Sequence, residues 1–134
     1  MTSRRCIVLE QGIREQLQRG GYTVQVVPPV FLKKLPPAHL IATRGPGETR
    51  YIRVRKISRK EPTVANVERF FGRDIVRYRT CMARKPAGSG LHYEIWISTL
   101  RHGLTCFEVS KDSVREIPRI PPATPAAVIA GGTS

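Results

Sequence analysis

The sequence predicts one α/β domain, a central β-sheet carrying two main helices. Three observations lead there. Two segments repeat apolar residues at helical spacing, and five others alternate with a period of two and are rich in β-branched and aromatic residues. The 134-residue length and 40% hydrophobic content suffice for a single core, since a domain of this size removes roughly two thirds of its unfolded surface from water.

The first helix runs from Ile7 to Gln18, with Val8 or Leu9, Ile13 and Leu17 on one face and Gly20-Gly21 as its stop. Tyr22 to Val27 alternates as a strand, until Pro28-Pro29 removes the donors that a ladder needs. Val30 to Ala38 mixes apolar residues with Lys33, Lys34 and Pro36-Pro37 and reads as a connection that presents basic side chains. His39 to Thr43 and Arg50 to Lys56 flank the Gly-Pro-Gly of residues 45–47, the signature of a hairpin. Its alternation directs Leu40, Ala42, Ile52 and Val54 to one face. His39, Ile41, Tyr51, Arg53 and Arg55 point to the other.

Thr63 caps the second helix, whose stripe Val64, Val67, Phe71, Ile75 and Tyr78 predicts one continuous amphipathic element. Lys85 to Gly90 breaks the chain. His92 to Ile97 and Leu104 to Val109 are two further strands, and Ser113 to Ile117 is a short final element. The domain is expected to span residues 1–117. Residues 118–134 are rich in Pro, Ala, Gly and Thr and are expected to form a disordered tail, because they lack the apolar side chains that offset ordering entropy.

Cys6, Cys81 and Cys106 are an odd set without CxxC spacing, which argues against a disulfide framework or a structural zinc site. Glu10 ends the first apolar run after four residues, too short for a signal peptide or a membrane span. The expected setting is the cytoplasm, with no membrane partner.

Twenty-three Lys and Arg against ten Asp and Glu give a formal charge of +13, more than solubility alone favours. A polyanion is the natural partner, and DNA or another nucleic acid fits better than a membrane because no long basic amphipathic helix is present. A merely solvated basic surface is the plain alternative. No Walker-type phosphate loop and no Ser-centred nucleophile motif occurs. His92 with Glu94, and His102 with Cys106, lack metal-specifying spacing. Trp96 reads as a sheet-core or dimer-interface residue.

The order helix, strand, strand, strand, helix, strand, from about Glu10 to Val109, resembles the restriction-endonuclease-like (PD-(D/E)XK) superfamily, nearest to archaeal Holliday-junction resolvases. Glu10 precedes Gly21-Tyr22 as the family's helical Glu precedes a Gly-aromatic pair. His39 stands where the family's Asp-led strand begins, and Arg53-Val54-Arg55 stands at its Glu-x-Lys position. The resemblance implies a restriction-endonuclease-like core with a mixed central sheet flanked by two main helices, and a catalytic motif that is degenerate here.

A magnesium-dependent nuclease needs clustered hard oxygen ligands. Arg53 supplies none, and being always protonated it cannot act as a base. The expected function is therefore nucleic-acid binding without catalysis and without a metal or other cofactor, with Arg44, Arg50, Arg53, Arg55, Lys56, Arg59 and Lys60 as phosphate ligands. Tyr51 and Tyr22 are candidate base-stacking residues, with a core role as the plain reading. A homodimer through one sheet edge or the Trp96 strand is expected. Two alternatives stay open: an active Mg2+-dependent endonuclease using Glu10 and His39 with Glu48 or Glu68, and a basic module that binds an acidic protein.

Overall fold

The computed structural model describes residues 4–28, 36–84 and 90–119, with side chains from Leu9 onward. The chain runs α1 (Arg4–Arg19), β1 (Thr23–Val26), β2 (Leu40–Arg44), β3 (Glu48–Lys56), α2 (Val64–Phe70), α3 (Gly72–Met82), β4 (Leu91–Thr99), β5 (Gly103–Val109) and β6 (Val114–Ile117). Most of the expected 30–38 connection, the 85–90 break up to residue 89, and the expected tail from residue 120 on lie outside the described residues.

The six strands form one sheet in chain order. Among the described residues only β3 and β4 pair in parallel, with Ile52 opposite Glu94 and Val54 opposite Trp96; the other pairings there are antiparallel. A parallel partner requires a crossover connection, and α2 and α3 supply it. The sheet is thus mixed, as the resemblance implied.

Local chemistry explains the joints. α1 ends in a Schellman motif: Gly21 takes φ +92, the Tyr22 N–H donates to the Leu17 carbonyl at 3.0 Å, and the Gly21 N–H donates to Gln18 at 3.0 Å. Thr63 caps α2, its hydroxyl accepting the Asn66 N–H at 3.2 Å.

The second helix is not continuous. Phe71 leaves helical geometry at φ −121 and ψ 29, and Gly72 starts a new helix. The apolar periodicity hid this break, because Val67 of α2 and Ile75 of α3 both face the same sheet. The break places Asp74 in the first turn of α3, where a carboxylate complements the helix dipole.

Each sheet face has its own core. On one, Ile13 and Leu17 of α1 pack with Leu40, Ala42, Ile52, Val54, Trp96 and Cys106. On the other, Val67, Ile75, Tyr78 and Cys81 meet Tyr93, Ile95, Ile97, Phe107 and Val109. A fully buried side chain of this kind contributes about 1.5–3 kcal/mol. β4 lies between β3 and β5 and is buried on both faces, so alternation gives way at its centre to the apolar run Ile95-Trp96-Ile97. Trp96 is wholly buried there, which corrects its candidacy as a dimer contact: the edge strands are β1 and β6. No described helix is long and apolar enough to cross a membrane.

Candidate nucleic-acid interface

Alternation on β3 sends Arg53 and Arg55 toward the α3 face, opposite to Ile52 and Val54. There they meet Asp74. Arg55 grips the carboxylate with two hydrogen bonds, Nε to Oδ2 at 2.8 Å and Nη2 to Oδ1 at 3.1 Å. Arg53 Nε lies 3.5 Å from Oδ1 without a hydrogen bond, and its Nη1 donates to the Pro37 carbonyl at 3.1 Å. Arg53 is 9% exposed. Burial, and then the Arg55 charge, lower its pKa, yet a guanidinium remains protonated. Arg53 is therefore occupied internally, while Arg55, with a side chain 35% exposed, keeps one edge toward solvent.

His39 joins this cluster. Its Nδ1 accepts the Val54 N–H at 2.9 Å, which leaves the ring proton on Nε2. Burial, reinforced by Arg53 and Arg55, lowers its pKa to about 4. Glu10 belongs to α1 and so to the other side of the sheet, where burial raises its pKa. The structure thus brings His39, Arg53 and Arg55 together and leaves Glu10 apart. A divalent cation does not fit here: two guanidiniums flank the place, and both Asp74 oxygens are already engaged. Among the described residues, no three His, Cys, Asp or Glu side chains converge as metal ligands.

Arg44 and Arg50 serve a second network, near the β2–β3 turn. Glu48 accepts from Arg44 Nε and Arg50 Nε at 3.0 Å each, and the Tyr22 hydroxyl donates to it. Arg50 also pairs with Glu94, which is fully buried and accepts the Trp96 indole N–H at 2.8 Å. Burial alone would lower the Arg50 pKa, but Glu94, Tyr22 and Glu48 outweigh it and hold the charge. Glu48 falls below its usual value in spite of burial, because Tyr22 and the two arginines stabilise the carboxylate. Tyr22 is 4% exposed beneath Arg44, whose guanidinium sits 4.5 Å from the ring centroid. Tyr51 stacks on Tyr93 at 5.3 Å. Tyr22 offers no open face for base stacking, and one face of Tyr51 is taken by Tyr93.

Lys56, Arg59 and Lys60 are different. All three are exposed, and none has an ion-pair partner among the described residues. Because β3 and β4 are parallel, both chains leave the sheet at the same end, which sets the 57–61 loop beside the β4–β5 turn. Between them opens a cleft of about 590 Å³, with Arg59, Lys60 and Arg101 against the one carboxylate Glu61. Arg59 adopts φ +62, a left-handed conformation uncommon outside glycine, of the kind that clusters at functional sites. Arg101 and His102 join the candidate site without being marked by the sequence periodicity. Their signal was a basic dipeptide in a turn, and only the parallel pairing makes it a neighbour of Lys60.

Against known proteins, no family model matches the chain, and a search of curated proteins finds no significant match. A solved structure does: Hjc, a Holliday junction resolvase of the archaeal hyperthermophile Archaeoglobus fulgidus, superposes with a TM-score of 0.50 at 16% identity. The match covers 84% of this chain and 88% of that one. At that identity the likeness establishes the fold, a restriction-endonuclease-like mixed sheet, here with three helices among the described residues.

Proposed function

We propose that this chain is a nucleic-acid-binding domain on a nuclease-like fold, which holds its partner by direct charge attraction and does not cleave it through a metal ion. One observation carries the reading. Arg59 and Lys60, left without carboxylate partners just past the end of β3, collect with Arg101 around one cleft, with the exposed Lys56 preceding them in the chain, whereas Arg44, Arg50, Arg53 and Arg55 are spent on internal carboxylates. Unpaired cations side by side repel one another, and a phosphate backbone relieves that repulsion. The structural likeness to a resolvase, an enzyme named for a nucleic-acid substrate, supports the partner class. The His39–Arg53–Arg55 cluster supports the absence of metal chemistry, since cations stand where a metal site needs oxygen donors.

Titration of labelled duplex and single-stranded DNA at several salt concentrations tests the proposal. Binding should weaken steeply with salt, and Lys60→Ala or Arg101→Ala should each lower the log–log slope by about one unit. An affinity indifferent to salt, or unchanged slopes in both variants, would sink it. Incubation with Mg2+ should leave the DNA intact. Cleavage that disappears in Glu10→Ala would favour the endonuclease reading instead.

A further inference from the structure

We infer that the β4–β5 turn is a wedge, with Leu100 entering the base stack of a bound duplex at a point where stacking is already interrupted. This rests on the nucleic-acid reading above. Leu100 is the most exposed large hydrophobic residue described, at 104%, against 42% for Val26, 44% for Phe70 and 62% for Val76. A leucine held fully in water gains nothing from folding, since the favourable term is removal of apolar surface from water.

The turn that displays it is tied down at its base. Thr99 is 9% exposed, its hydroxyl accepts the His102 N–H at 2.9 Å, and Gly103 closes the loop at φ +67 directly opposite Thr99. Pairing of β4 with β5 continues without a break from there to Tyr93 and Val109. The leucine therefore stands on a stiff two-stranded mount, which reduces the entropy lost on insertion.

Its surroundings are cationic. Arg101 follows it, and Arg59 and Lys60 line the opposite wall of the same cleft. An apolar tip between cations matches the chemistry of side chains that part base steps while neighbouring residues hold the flanking phosphates. Parting an intact step costs a few kcal/mol, and least where a base is already unpaired or unstacked. With no aromatic platform beside it to add stacking energy, the leucine is best matched to the step of lowest cost, so the partner inferred is an interrupted duplex.

The experiment compares an intact DNA duplex with one carrying a single-base bulge, each with 2-aminopurine next to the test position. The full chain should prefer the bulged duplex by about tenfold, and 2-aminopurine fluorescence should rise on binding as its neighbour unstacks. Leu100→Ser, at a fully exposed position where folding is not at stake, should abolish both the preference and the rise. Lys60→Ala should weaken binding to both duplexes alike and leave the preference intact. Equal affinity of the unaltered chain for the two duplexes, or a preference and rise that survive Leu100→Ser, overturns the wedge while nucleic-acid binding stands. Failure to bind either duplex at low salt overturns both.

Discussion

Replacing Asp74 by Asn tests whether one carboxylate neutralises the two arginines of β3. The side chain is 3% exposed and faces Arg53 at 10% and Arg55 at 35%. Removing one member of a buried ion pair costs about 3–5 kcal/mol, because the charge left behind has lost both partner and water. Arg55 can rehydrate through its exposed third, so most of the loss falls on Arg53, whose remaining contact is the Pro37 carbonyl. The lower end applies, about 3 kcal/mol. That is a large share of the roughly 5–15 kcal/mol typical of a domain, and should lower the melting temperature by roughly 10–15 °C. Urea denaturation followed by the fluorescence of Trp96, the sole and fully buried tryptophan, reads it directly. The m-value should not change. In an Arg53→Met background the same substitution should cost at least 1 kcal/mol less, to the order of magnitude typical of coupled neighbours. A loss under about 1 kcal/mol, or identical losses in both backgrounds, would refute the assignment of Asp74 as their counter-charge.

His39 predicts an acid limb of stability. With its folded pKa at about 4 and its ordinary value at 6.5, the unfolded chain takes up the proton first as pH falls, so stability drops from pH 6.5 down to about 4 and then levels. Glu10 and Glu94, raised by burial, act in the opposite direction above 4.5, so thermal melts should show a shallower decline in His39→Gln than in the unaltered chain. An equal decline would place the protonation elsewhere. Gly90→Ala should destabilise by more than about 2 kcal/mol or prevent folding, since its Cβ would lie 2.0 Å from the Gly47 carbonyl oxygen at a backbone φ of +75. Gly12→Ala, on the exposed face of α1 with nothing within 4 Å, should instead stabilise by about 0.5–1 kcal/mol. Denaturation midpoints of the two variants check both signs.

Much of the fold was legible because its signals are local. The Gly-Pro-Gly turn, the Gly20-Gly21 stop and the Thr63 cap each act within a few residues, and the structure realises all three. The break at Phe71 was not legible, because helical spacing persists whenever both halves of a kinked helix face one sheet. The candidate site divided along the same line. Which β3 side chains share a face follows from a period of two, and Arg53 and Arg55 do share one. That both turn toward a carboxylate 19 residues beyond Arg55 has no local signature.

The charge excess, the strand faces and the basic stretch around β3 are thus consequences of composition and short-range periodicity. Tertiary structure decided which of those charges are available. Crossover through α2 and α3 brings Asp74 onto Arg53 and Arg55, and the parallel pairing of β3 with β4 sets Arg59 and Lys60 beside Arg101 and Leu100. The physical reason is range. Backbone periodicity is written between neighbours in the chain, whereas neutralisation of a charge depends on whatever the fold brings within a few ångströms of it.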